Sequence, residues 1–139
     1  MIGLFFTFLI FFVMLYIAII HIYWLRGGLW PGKNYQDLVD KVLGSGNKLP
    51  GFYMFIVVII VFSLMAIFPV LVYFGMTFNG YEKEIFLLFS LLFFIRSFYM
   101  FVPFFAKKVT KVFLKLNQKV YAPLCFVLSI SYFYLYITM

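Results

Sequence analysis

Four stretches of this chain are so uniformly apolar that hydrocarbon, not water, must surround them: Gly3 to Leu25, Phe52 to Phe78, Ile85 to Ala106 and Val120 to Thr138. A transmembrane helix needs about 20 consecutive, mostly apolar residues, and each stretch is near that length. Barrel strands would be about ten residues long with alternating polarity, whereas these runs are longer and apolar on every side. With 67% hydrophobic residues and 22 phenylalanines, the chain has too little polar surface to enclose a water-soluble core. The sequence therefore predicts an all-α integral membrane protein. It is a single four-helix transmembrane bundle over residues 1–139, with no room for a separate soluble domain.

The connections carry the polar residues. Between the first two runs, Asn34 can cap a helix, Leu38, Val39, Val42 and Leu43 form an apolar face, and Gly44 can stop it. That predicts a short interfacial helix over 35–43. A second interfacial segment is expected over 108–119, as an independent helix or as an extension of the fourth run. Its lysines Lys111, Lys115 and Lys119 recur every four residues, opposite Val109, Val112, Phe113 and Leu116. Pro69 and Gly75 predict a tilt or kink in the second run. The turn Asn79 to Glu84 is short enough to make the second and third helices antiparallel neighbours.

Charge sets the expected orientation. Arg26, Lys33, Lys41 and Lys48 occupy one connection and Lys107, Lys108, Lys111, Lys115 and Lys119 the other, while the 79–84 turn holds Lys83 alone. The positive-inside rule places the two basic connections in the cytoplasm and both termini outside the cytoplasmic membrane. The net charge of +7 does not point to nucleic acid, because no nucleic-acid fold surrounds these residues. The five lysines are expected to contact anionic headgroups at the cytoplasmic face. The amino terminus lacks a basic n-region and a small-x-small cleavage pattern, so the first run is expected to stay as a helix. Cys125 is the sole cysteine, which leaves no intrachain disulfide and no cysteine-based metal cage. No metal site is expected.

Candidate functional residues cluster where the first run ends. His21 to Gly32 hold the one histidine, both tryptophans and the first charge of the chain. Met14, Ala18, His21 and Leu25 share one helical face. His21 is a candidate acid-base group, or else a residue hydrogen-bonded to a neighbouring helix. Haem through this lone histidine would have to be five-coordinate or shared across a dimer. Tyr23, Trp24 and Trp30 match the aromatic belt of a membrane interface. Arg26, Gly27 and Gly28 suggest a backbone nest with a flanking guanidinium that receives a phosphate. Arg96 interrupts the middle of the third run, where a charge is costly, about 2.5–3.5 kcal/mol on insertion scales. It snorkels, pairs with a tyrosine, marks a helix that emerges earlier than drawn, or contacts a ligand.

Together these residues resemble a family. His21-Ile22-Tyr23-Trp24-Leu25-Arg26-Gly27-Gly28, the later Arg96, and Phe113, Asn117 and Tyr121-Ala122-Pro123-Leu124-Cys125 resemble the bacterial membrane proteins of domain-of-unknown-function family 3995. That resemblance implies a small four-helix membrane fold and no known reaction. Asn117 stands where the family pattern usually has aspartate, and Ser97 to Val102 lack the Gly-Asp that tends to follow the family's arginine. The resemblance thus implies neutral partners for Arg96 or His21 here.

Three functional readings follow. In the first, His21, Tyr23, Trp24, Arg96, Asn117 and Tyr121 converge near the cytoplasmic end and bind a lipophilic molecule with a polar head, a lipid or a quinone. The second is an enzyme acting on an isoprenoid or lipid with His21 as acid-base group. In the third, the chain is an accessory subunit of a larger membrane complex, or a homo-oligomeric transporter component.

Overall fold

A backbone crossing hydrocarbon must satisfy its N–H and C=O groups internally, and a helix does so within one segment. The computed structural model describes residues 1–139 and contains no strand. Its helices are α1 (Ile2–Leu25), α2 (Tyr35–Val42), α3 (Phe52–Tyr73), α4 (Glu82–Phe98), α5 (Pro103–Ala106), α6 (Lys111–Leu116) and α7 (Ala122–Thr138). A 3-10 turn covers Tyr99–Phe101, and a π-helical stretch covers Asn117–Tyr121. Four helical segments are long and apolar enough to cross a membrane: Ile2–Leu25, Phe52–Tyr73, Glu82–Phe101 and Lys111–Thr138.

Several boundaries differ from expectation for local reasons. The second span ends at Tyr73, not Phe78, because Gly75 takes φ +92° and directs its N–H to Val72 O while Met76 N bonds Leu71 O. That pair of bonds is a Schellman stop. The third span starts at Glu82, whose carboxylate accepts the N–H of Phe78 at the turn. Regular α-helix then stops at Phe98, so Arg96 lies in the last turn of α4 rather than at mid-span. The segment expected over 108–119 begins at Lys111, where the Thr110 hydroxyl accepts from Phe113 N at 3.2 Å, and it runs straight on into the fourth span. Pro123 explains the π stretch at the join. A proline ring collides with the carbonyl four residues back, here Lys119, and the wider turn makes room.

The helices pack in the order α3, α1, α7, α4, with α1 against both α3 and α7, and α4 against α7. The buried stripe of α1, Thr7, Ile10, Met14 and Ala18, faces this contact. Ser90 of α4 and Ser129 of α7 donate reciprocally to each other's carbonyls at 2.9 Å, which lets small residues bring the two backbones close. Consecutive α3 and α4 are joined by side chains rather than by close backbones: Phe68 meets the rings of Phe86 and Phe89 at 5.2 and 6.0 Å. Most large apolar residues on the outer faces are exposed, as lipid contact requires.

Both basic connections lie at one end of the bundle, and α2 is fastened there to α6. Its Asn34 cap accepts from Asp37 N at 2.9 Å, and its apolar face buries Leu38 and Val39 completely. The Thr110 hydroxyl donates to Asp40 O at 2.9 Å, and Thr110 N donates to Gly44 O at 2.8 Å.

Candidate functional site

The rim of the site is the end of α1. Arg26 N bonds Ile22 O at 3.1 Å, Gly27 N bonds Trp24 O at 3.0 Å and Gly28 N bonds Tyr23 O at 2.9 Å, with Gly27 at φ +89°. This is again a Schellman closure. All three N–H groups therefore already have acceptors inside the chain, and the phosphate-receiving nest expected over Arg26, Gly27 and Gly28 does not form. The Tyr23 ring lies so close to Gly28 that a β-carbon there would fall 2.3 Å from it. The Tyr23 hydroxyl accepts from Trp30 N at 3.2 Å, and Trp24 Nε1 donates to Trp30 O at 2.7 Å. These rings fold the chain back over the helix end.

One turn inside this rim, His21 sits half-buried on the face that also carries Met14 and Ala18. Its Nδ1 donates to Ile17 O at 2.7 Å. In the neutral ring that bond leaves a lone pair on Nε2, which has no partner in the protein. The rings of Trp24, Phe62 and Phe55 pack around the imidazole at 5.1, 5.3 and 6.3 Å. Beside them lies a pocket of about 250 Å³, lined by His21 and Trp24 of α1, by Met54 and Phe62 of α3, and by Leu43 and Pro50 of the connection. Nearly all of its other lining is hydrophobic, and no carboxylate, hydroxyl or thiol faces it. Such a space suits an apolar body with one hydrogen-bonding group.

A second cluster forms where α4 meets the π stretch. Arg96 Nη1 donates to Asn117 Oδ1 at 3.0 Å, and the guanidinium lies 5.1 Å from the centre of the Tyr99 ring. Asn117 is only 1% exposed. Arg96 thus meets neutral partners, a carboxamide and an aromatic face. Tyr121 is close by, but its hydroxyl donates to Lys41 O of α2 at 2.8 Å, and its ring packs on Phe113 at 5.7 Å. Gly44 permits that docking. It has φ +76°, and a β-carbon there would fall 2.6 Å from Phe113 Cγ.

The residues expected to converge in one patch are therefore divided between two at the same end. The end of α2 joins them, since the Lys41 carbonyl meets Tyr121 while Val42 and Leu43 line the His21 pocket. Arg96, Asn117 and Tyr121 do not line that pocket. Lys107, Lys108, Lys111, Lys115 and Lys119 are all exposed, and the one ion pair in the molecule is Lys41 with Asp37 at 2.9 Å. Lys108 rests over the Phe104 ring at 4.0 Å. Sequence reasoning missed Tyr99 and Thr110. Tyr99 was findable as the residue three positions after Arg96, one helical turn on. Thr110 was findable as a hydroxyl cap before an apolar-periodic segment.

Four membrane-crossing segments, a surface helix docked at one end, and the polar groups gathered beneath it define a small helical membrane protein. Residues 14–132 match the family model described as protein of unknown function (DUF3995), and the chain belongs to that family. The match contains His21, Arg96, Asn117 and Tyr121. No curated protein and no solved structure matches the chain.

Proposed function

We propose that this membrane protein binds a lipophilic molecule with a hydroxyl-bearing head, a lipid alcohol or a quinol, in the His21 pocket, with the basic end facing the cytoplasm. The observation that carries this reading is the imidazole itself. Nδ1 is committed to Ile17 O, so neutral His21 offers an acceptor at Nε2 beside an otherwise apolar pocket. An acceptor in low-dielectric surroundings favours a ligand that brings an O–H donor, because an unpaired polar atom on either side is costly there. The lining supplies no nucleophile and no second acid or base, which favours binding over turnover. The exposed lysines around it hold anionic headgroups and keep this end at the cytoplasmic surface.

Trp24 lines the pocket and reports its occupancy. In a Trp30→Phe background, titration with a short-chain quinol is expected to quench Trp24 fluorescence with saturation, and the matching quinone, which lacks the donor, binds more weakly. His21→Leu lowers quinol affinity about tenfold while leaving quinone affinity unchanged. Equal quinol binding by the wild type and His21→Leu would remove the reading.

A further inference from the structure

We propose that Arg96 and Asn117 form a separate site for the phosphate of an anionic membrane phospholipid in the leaflet at the basic end. The guanidinium has five N–H donors and cannot lose its charge. One donor is used, on Asn117 Oδ1, and that acceptor is neutral. Asn117 uses its carbonyl on Arg96, and its NH2, which is not sealed inside the protein, has no acceptor there. No acid neutralises the pair. Asp37 and Asp40 bond locally in and before α2, to Lys33, Lys41 and Gln36, and Glu82 and Glu84 lie at the opposite end of α4. What remains is a positive charge with unused donors and no internal counter-ion, which is the requirement of an anion that accepts several hydrogen bonds.

The depth of the site selects the source of that anion. Arg96 lies in the last turn of α4, five residues before the span ends at Phe101, a position from which a long side chain can snorkel to headgroup phosphates. The adjacent surface is amphiphilic. Phe98 and Phe101 are 46% and 56% exposed, and a groove of about 400 Å³ runs past Met100, Phe101, Leu114, Gln118 and the cation Lys107. Arg96 and Asn117 do not line this groove themselves; it passes Met100, one helical turn on from Arg96. A phospholipid satisfies both features at once, with its phosphate on the donors and its acyl chains over the phenylalanines. A free phosphate satisfies only the first.

Native mass spectrometry of the full protein in mild detergent tests this, with phosphatidylglycerol and inorganic phosphate as the two probes. The wild type is expected to retain phosphatidylglycerol, and inorganic phosphate at equal concentration neither binds detectably nor displaces it. Asn117→Asp puts a carboxylate of the same shape on Arg96. It is expected to keep the fold, read as unchanged helicity and monodisperse elution, while weakening phosphatidylglycerol retention about tenfold. Arg96→Gln is expected to weaken it at least as much. Full retention by Asn117→Asp overturns the site, and displacement of the lipid by inorganic phosphate overturns its assignment to a phospholipid. Neither variant touches the His21 pocket, so the two proposals stand or fall separately.

Discussion

Pro69 and Tyr132 show how single residues solve the membrane's demand for paired backbone groups. Pro69 lies inside α3 and has no N–H, so the carbonyl of Met65, four residues earlier, loses its helical donor. The hydroxyl of Tyr132, fully buried on α7, donates to Met65 O at 2.8 Å, and its ring stacks against Phe93 at 5.8 Å. Tyr132→Phe is therefore expected to destabilise the protein by about 1–3 kcal/mol, the cost of an orphaned buried acceptor. In a Pro69→Ala background the restored N–H takes over that carbonyl, and the same substitution costs much less. A double-mutant cycle by thermal unfolding in detergent checks this, and additive effects would contradict the pairing. Arg96 makes the complementary point. Its charge, in the last turn of α4, meets a neutral carboxamide and an aromatic face rather than an acid.

At the scale of elements, α2 is closed by reciprocal bonds: Asn34 Oδ1 accepts from Asp37 N, and Asp37 Oδ2 accepts from Lys33 N at 2.7 Å and from the Lys41 ammonium at 2.9 Å. The Lys33 N–H first, and then Lys41, hold the Asp37 carboxyl below its ordinary range. Its contribution to the folded state is complete above the unfolded value of about 3.9 and disappears as pH falls through the lower, folded one. Amide protection across residues 35–43, corrected for intrinsic exchange, should therefore drop in that acid window in the wild type. In Asp37→Asn it should already be reduced at neutral pH and lack the acid step. The existence of α2 was legible in the sequence because cap, apolar face and glycine stop are all local. Its docking was not, because Thr110 meets the carbonyl of Asp40 from 70 residues away.

For the whole molecule, the bundle separates its charges. Of 11 basic side chains, all but Lys83 lie at the end capped by α2 and α6. If that end faces the cytoplasm, alkaline phosphatase fused after Met139 is active and a fluorescent protein fused there is dark, with the opposite pattern for fusions at Gly46. An active phosphatase at Gly46 would reverse the orientation.

Composition and run length determined, by themselves, that the chain is helical and crosses a membrane, since a chain in lipid must pair its backbone within a helix or a closed barrel, and runs of about 20 residues apolar on every side fit only the helix. They also placed the polar residues near one end, because charges collect where spans stop. Which of those residues meet was decided only by tertiary structure. Helix order put α2 between His21 and Arg96, Pro123 widened the turn that carries Asn117, and Gly27 turned the Arg26-Gly27-Gly28 amides inward. Each of these depends on the direction in which a side chain or N–H points, and that direction is set by contacts distant in sequence or by a turn of backbone that residue type permits without dictating.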